Sequence, residues 1–155
     1  MHISTVKCMS EKKIKNIFVE GPISPQKIAE SIAQHATKKN IGAHSIFLGQ
    51  VRADEKTEGV VQAIEYTTYK DMALEQMHMI REALFEKYEL TCMHVYHSLG
   101  IVPAGEISLF VFVSAVHRKA AIAACTELVE AIKFQLPVWG KEILVNQNTV
   151  WKENH

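Results

Sequence analysis

The sequence is poor in cysteine, has no excess of charge of one sign and contains no long apolar run. Its 155 residues include three cysteines, odd in number, far apart and without a CxxC pair, which indicates reduced structural thiols and excludes a disulfide framework. Lysine plus arginine number 17, as do aspartate plus glutamate, so no overall field attracts nucleic acid or an anionic membrane. We therefore expect neither of these partners, and any preference for an anion must be local.

The commonest catalytic and targeting signatures are also absent. The sequence contains no GxGxxG, Walker loop, GxSxG or HExxH, which excludes the commonest nucleotide-binding, hydrolase and zinc-protease classes. His94 and His97 lie three apart in a predicted strand, so their rings face opposite ways and cannot share an ion. We predict no metal and no cofactor. No stretch has the roughly 18 apolar residues of a membrane span, and the N-terminus lacks a signal-peptide run, so we expect a cytoplasmic protein.

The length and apolar content predict one domain. With 48% hydrophobic residues the chain can bury one sizeable core, and it is too short for two. We predict a single domain over residues 1–155, with a flexible segment at 1–13 and the folded part at 14–152. Neither an internal repeat nor a linker is evident in the sequence.

Hydrophobic periodicity predicts alternating strands and helices. Ser24 followed by Pro25 is typical of a helix start, with Ser24 as the cap. The predicted strands are 14–20, a buried 42–51, 60–66, 92–97, 106–115 and 142–145, and the predicted helices are 25–40, 69–89 and 118–135. Residues 99–105 are predicted to form a turn-rich link, and strand 60–66 is predicted to pair antiparallel with strand 42–51. Several links are too short for a helical crossover, so we predict an α+β fold with a mixed, largely antiparallel sheet and amphipathic helices packed on it.

The residues that suggest chemistry are concentrated between residues 113 and 141. Arg118 and Lys119 stand at a predicted helix start, where cations oppose the helix dipole, and an anion bound there would resolve the conflict. Arg118, His117 and the free backbone N–H groups form a candidate phosphate site, and the alternative is a solvated charge cluster. Lys133 adjoins the apolar face of the same helix, so it is a candidate for a partly desolvated, reactive lysine or else an ordinary surface lysine.

Several motifs of this sequence together resemble a known family, the large, catalytic subunit of molybdopterin synthase. They keep that family's order over roughly residues 14–152, nearly the whole chain. The motifs are FLGQVR at 47–52, HSLG at 97–100, PAGE at 103–106, SAVHR at 114–118, Lys133, PVW at 137–139 and Glu142.

The resemblance implies a function, partners and a fold. It implies a cytoplasmic enzyme of molybdenum cofactor biosynthesis that converts cyclic pyranopterin monophosphate into molybdopterin by installing two dithiolene sulfurs. The sulfur donor would be a small ubiquitin-like subunit with a C-terminal glycine thiocarboxylate, assembled with a homodimer of the large subunit as a heterotetramer. The implied fold is of the α/β hammerhead type, which agrees with the α+β prediction.

The resemblance also implies roles for individual residues. Arg52, His117 and Arg118 would bind the substrate, Lys133 would be the principal catalytic lysine, and Lys141 would be a second one. The family usually places a lysine directly after the tryptophan, whereas Gly140 stands there in this chain and Lys141 follows it. This departure supports an alternative function, a non-catalytic anion-binding or scaffold homologue. A nucleic-acid module would need a strongly salt-dependent affinity, which the balanced charge disfavours.

Helix geometry restricts how these residues can cooperate. Arg118 and Lys133 are fifteen residues apart in one predicted helix. At about 1.5 Å per residue they are separated by about 22 Å along its axis, too far for one small pterin phosphate to bridge. We therefore predict a composite site, in which His117 and Arg118 of one subunit reach Lys133 of another.

Overall fold

The computed structural model describes residues 14–146 and 148–154, so the prediction that residues 1–13 are flexible lies outside the described residues. Within these described residues, three α-helices and eight strands follow one another in a mixed order. The helices are α1 Pro25–Gln34, α2 Lys70–Lys87 and α3 Arg118–Gln135. The strands are β1 Phe18–Glu20, β2 Ala43–Gln50, β3 Glu55–Lys56, β4 Gly59–Thr68, β5 Cys92–Pro103, β6 Ile107–Ala115, β7 Val138–Leu144 and β8 Thr149–Trp151.

The strands form one eight-stranded sheet in the order β2-β6-β5-β4-β7-β8, with β1 beside β5 and β3 beside β4. Among the strands of residues 14–146 and 148–154, only the short β1 pairs in parallel, and every other pairing is antiparallel. The prediction of an α+β fold with a mixed, largely antiparallel sheet is therefore confirmed.

The core lies between the sheet and the helices α2 and α3. The interior strand β6 is buried from Ser108 to Ala115. Helix α3 turns its buried residues onto the sheet, and they recur at helical spacing: Ala121, Ala124, Cys125, Leu128 and Ile132. Because Ile132 is locked in the core, the position of the next residue, Lys133, is fixed by packing.

Local signals predicted the helices well. The hydroxyl of Ser24 accepts a hydrogen bond from the Lys27 N–H at 3.2 Å, and Pro25 occupies the first turn of α1, as predicted. Helix α1 ends at Gln34 and is followed by a 3₁₀ turn at His35–Thr37. Across the described residues, no helix is long and apolar enough to cross a membrane.

Two predictions about β2 are wrong. It is an edge strand whose side chains are alternately half-buried and exposed, not a buried strand. It pairs with β6 and not with residues 60–66, which lie in β4 between β5 and β7. The connection contains its own hairpin, β3–β4, and the backbone of Val51 bonds to residues 105 and 106, so the chain leaves the β2 edge before β4 begins.

Strand ends in the second half also differ from the prediction. The predicted link at 99–105 belongs to β5 as far as Pro103, because Gly100, with φ of 77°, turns the strand from its partner β6 to its next partner β4. Strand β7 begins at Val138, directly after Pro137. The predicted polar tail contains β8, which pairs with β7.

Candidate active site

A cleft of about 240 Å³ opens between β2, the end of α3 and the strands β4 and β7. The predicted residues Arg52 and Lys133 both line it, although they are far apart in sequence. We call it the Lys133 cleft. It is lined by Phe47, Leu48, Gly49, Gln50, Arg52, Asp54, Ile64, Lys133, Glu142 and Lys152.

Two carboxylates of the Lys133 cleft, Asp54 and Glu142, are each paired with a cation. Arg52 directs its guanidinium to Asp54, with Nε and Oδ1 3.3 Å apart, and its side chain is 75% exposed, so it is free to receive an anion. Glu142 is buried, and its Oε1 lies 3.2 Å from Nζ of Lys56. This ion pair fastens the β3–β4 hairpin to β7.

Lys133 has the properties expected of a reactive amine. Its side chain is largely desolvated between the end of α3 and the sheet, and burial lowers its pKa from the usual 10.5, with the positive charge of Lys152 as a second cause. A lysine of lowered pKa supplies its neutral amine more readily and can donate or accept a proton. The sequence left two alternatives open for Lys133, and the structure contains the partly desolvated lysine and not the ordinary surface lysine.

A second, narrower cleft adjoins the first and shares Lys133 and Lys152 with it. It is lined by Tyr66, His97, Ile132, Lys133, Val138, Trp139, Gly140, Lys152 and Asn154. His97 is buried, its Nδ1 lies 2.8 Å from the Ser98 carbonyl oxygen, and its ring meets that of Tyr66 edge-on at 5.2 Å. An N–H on Nδ1 donating to this carbonyl fixes the neutral ring in one orientation behind Lys133.

The pKa of His97 predicts an acid-sensitive fold. Burial, opposed by the bond to Ser98 and assisted by the charges of Lys133 and Lys152, lowers this pKa from 6.5 to about 4. Between pH 6.5 and pH 4, His97 is protonated in the unfolded chain and neutral in the native one. The contribution of His97 to the free energy of unfolding is therefore fully present above pH 6.5 and is lost as the pH falls towards 4. The loss from His97 amounts to about 3 kcal/mol at 1.36 kcal/mol per pH unit.

Urea unfolding at a series of pH values measures this loss. Because carboxylates and other histidines titrate in the same range, the His97→Gln variant serves as the reference. Its free energy of unfolding should fall less steeply from pH 6.5 to 4 than that of the native chain. Equal slopes would contradict the assignment of the proton to His97.

His117 and Arg118 lie at the opposite end of α3 from Lys133. Helix α3 is continuous over Arg118–Gln135, which places Arg118 and Lys133 about 22 Å apart along the axis. Both His117 and Arg118 are exposed, and neither lines the Lys133 cleft. His117 caps the helix without a side-chain hydrogen bond, so the first-turn N–H groups receive no bond from it. Within one subunit the predicted residues thus form two separate groups.

Lys141 is not brought to Lys133. Its Nζ lies 3.3 Å from Oε1 of Glu65 on the neighbouring strand and 5.9 Å from the centre of the Trp151 ring. It lines neither of the two clefts. The catalytic role of Lys141 therefore stays a prediction from the resemblance.

Strand β5 places His94 and His97 on opposite faces of the sheet, as their spacing predicts. Nε2 of His94 lies 3.0 Å from Nε2 of His35, whereas His97 faces Tyr66. His35, Cys92 and His94 cluster within 4.8 Å of one another. Amines of Lys15 and Lys38 approach His94 and Cys92 at 3.2 and 2.9 Å, so a cation placed there would meet two ammonium groups. The cluster is accounted for as a polar network at the start of β5.

Sequence reasoning missed three groups of the clefts: Lys152, Lys56 and the role of Glu142. A signal for Lys152 was present, because the β-forming TVW at 149–151 follows an asparagine-rich turn and predicts a hairpin with the preceding strand. Lys56 and Glu142 come together only through the pairing of β4 with β7, which no local pattern predicts.

Known proteins resemble this chain over most of its length. The family model described as MoaE protein matches residues 18–135, which include every predicted site residue except Lys141. Proteins named molybdopterin synthase catalytic subunit are 35% identical in Aspergillus fumigatus, 30% in Bos taurus and 33% in Pyrococcus abyssi. These alignments cover 78%, 93% and 81% of this chain and 64%, 75% and 83% of the three relatives. The chain thus spans about two thirds of the length of the Aspergillus relative.

Solved structures agree with the sequence relatives. Molybdopterin synthase from Staphylococcus aureus superimposes with a TM-score of 0.76 at 28% identity, covering 92% of this chain and 98% of the other. A complex of subunits 1 and 2 of molybdopterin-converting factor from Helicobacter pylori gives 0.75 at 20% identity, covering 89% and 90%, a likeness of fold alone. From the family match and the relatives of comparable length, this chain belongs to the MoaE protein family.

Proposed function

We propose that this chain is the cytoplasmic catalytic subunit of a molybdopterin synthase. It would transfer sulfur to cyclic pyranopterin monophosphate from the C-terminal thiocarboxylate of a small ubiquitin-like partner. The observation that carries this proposal is the meeting of a desolvated lysine, Lys133, with the exposed guanidinium of Arg52 in one cleft. Membership of the MoaE family, with relatives named molybdopterin synthase catalytic subunit, supports it.

The chemistry requires proton transfer and stabilisation of negative charge at one place. The thiocarboxylate sulfur attacks a side-chain carbon of the pterin, the oxygen on that carbon leaves, and water hydrolyses the acyl link to the partner, leaving sulfur on the pterin. The same three steps then take place at the neighbouring carbon with a second thiocarboxylate. Lys133 acts as general acid and base at these carbons, and Arg52 offsets the developing charge and positions the substrate.

The substrate-binding site is completed by a second subunit. The Lys133 cleft, at about 240 Å³, is smaller than the roughly 300 Å³ at which ligand pockets begin. His117 and Arg118 are exposed and lie too far along α3 to reach it within the same subunit. We assign them to the cleft of a partner copy, where the cationic helix start binds the substrate phosphate. The edge strand β2 exposes Ile46 and Leu48, an apolar surface suited to self-association.

The C-terminal tail of the small ubiquitin-like subunit would enter along an exposed aromatic surface beside the clefts. Tyr69, Trp139 and Trp151 line one depression with Thr67 and Thr68, and the rings of Tyr69 and Trp139 meet edge-on at 5.1 Å. Large exposed aromatic rings are typical anchors for a peptide. Trp139 also lines the second, narrower cleft, which shares Lys133 with the first, so the surface leads to the reacting groups.

Reconstitution tests this function directly. The purified chain is mixed with cyclic pyranopterin monophosphate and a small subunit carrying a C-terminal thiocarboxylate, and the dithiolene product is measured after conversion to a fluorescent derivative. We expect product, with two thiocarboxylates consumed per pterin. A small subunit ending in an ordinary carboxylate is the control. Formation of a complex without product would instead indicate the non-catalytic scaffold homologue.

A further inference from the structure

The segment after β8 is fastened across the C-terminal end of α3. The Lys152 N–H donates to the Gly140 carbonyl oxygen at 2.9 Å, which continues the β7–β8 ladder. Two residues later, Nδ2 of Asn154 donates to the Lys133 carbonyl oxygen at 3.0 Å. Lys152 thus stands between two fixed points, one on β7 and one on the helix that carries Lys133.

This arrangement brings a second amine into the site. Lys152 lines both clefts that Lys133 lines, and it is half-buried there. In the larger cleft it joins Arg52, so three cationic side chains from three separate parts of the chain surround one space. Such convergence in a cleft of moderate size raises the local affinity for anions.

The neighbouring positions on β7 cannot supply that amine. A Cβ added at Gly140 would lie 2.9 Å from Cγ2 of Ile64 and 3.3 Å from Cε1 of Tyr66, so a side chain there would have to displace its neighbours on β4. Lys141 is held by Glu65 outside the clefts. Lys152, across the ladder from Gly140, is the lysine of the β7–β8 hairpin that faces Lys133.

We propose that Lys152 is a further catalytic-site residue, whose ammonium group binds an anionic group of the reactants beside Lys133. This inference rests on the proposed function for its reaction. The reactants offer two such anions, the phosphate of the pterin and the thiocarboxylate of the partner's tail. A second consequence is electrostatic: a positive charge at 152 disfavours the ammonium form of Lys133 and helps to lower its pKa.

The first test compares Lys152→Met with Lys141→Met in the reconstituted reaction. Loss of a charge-assisted hydrogen bond should lower kcat/KM about 10-fold or more in Lys152→Met, and less in Lys141→Met. A raised KM for the pterin identifies the phosphate as the bound anion, and weaker binding of the thiocarboxylated partner identifies its tail. Lys152→Arg keeps the charge and should retain more activity than the Met variant, which guards against an effect of misfolding. A kcat/KM unchanged in Lys152→Met overturns the proposal.

The second test does not depend on sulfur transfer. The rate of acylation of Lys133 in the isolated chain is followed against pH by mass spectrometry, and its midpoint should move to higher pH in Lys152→Met because a neighbouring positive charge is gone. Binding of inorganic phosphate to the same chain should weaken in that variant. If the native chain makes no product, the proposed function fails, while an unchanged midpoint and unchanged phosphate affinity overturn the role of Lys152 separately.

Discussion

Replacing Lys133 by alanine is expected to lower the turnover of reconstituted sulfur transfer by about 100-fold or more, the usual contribution of a positioned general acid or base. Lys133 is the lysine that the structure desolvates at the end of α3, with a pKa lowered by burial and by Lys152. Lys141, the other catalytic lysine that the resemblance implies, is paired with Glu65 and does not take its place. Product formation under saturating substrate and partner measures the effect.

A matched variant separates chemistry from loss of charge. Lys39→Ala removes an ammonium group from an exposed position after α1 and should leave turnover unchanged. Thermal unfolding should show that Lys133→Ala remains folded, and titration with the thiocarboxylated partner should show that it still binds. If Lys133→Ala kept near-native turnover, its role as acid and base would be excluded.

Mixing two inactive variants is expected to restore activity. In an Arg118→Ala and Lys133→Ala mixture, each mixed dimer would have one site with both lesions and one intact site, because Arg118 and Lys133 of one site come from different subunits. Random exchange makes half of the dimers mixed, so activity should recover to about a quarter of the native level. The physical basis is the length of α3, which separates the two residues by about 22 Å within a subunit.

A second mixture is the control for this experiment. Arg52 and Lys133 line the same cleft of one subunit, so mixing Arg52→Ala with Lys133→Ala leaves one lesion in each site and should restore nothing. Subunit exchange is followed by native mass spectrometry in both mixtures. The composite site would be refuted if the Arg118 mixture stayed inactive despite exchange, or if the Arg52 mixture recovered equally.

Local chemistry in the sequence predicted most of the helices and the position of the reactive lysine. The start of α1 is determined by the Ser24 hydroxyl, which accepts from the Lys27 N–H, and by Pro25 in the first turn. The apolar period of residues 118–135 predicts α3 within the bounds observed. The same period places Lys133 beside the buried Ile132. These properties depend on residues a few positions apart, which a sequence displays directly.

Pairing between distant strands could not be predicted in the same way. The edge position of β2, with Ile46 and Leu48 exposed, follows from the order of the sheet and not from the apolar composition that predicted a buried strand. Lys152 reaches Lys133 only because β8 folds back on β7 and the following segment bonds to α3. The resemblance places a second lysine directly after Trp139. In this chain we propose that Lys152, which bonds to Gly140 from the neighbouring strand segment, supplies that amine.

A crystal structure of the dimer with cyclic pyranopterin monophosphate bound tests most directly whether two subunits share one active site. We expect one substrate in the Lys133 cleft, contacted by Arg52, Lys133 and Lys152 of one subunit and by His117 and Arg118 of its partner. A substrate held entirely by residues of one subunit, or bound away from Lys133, would contradict it.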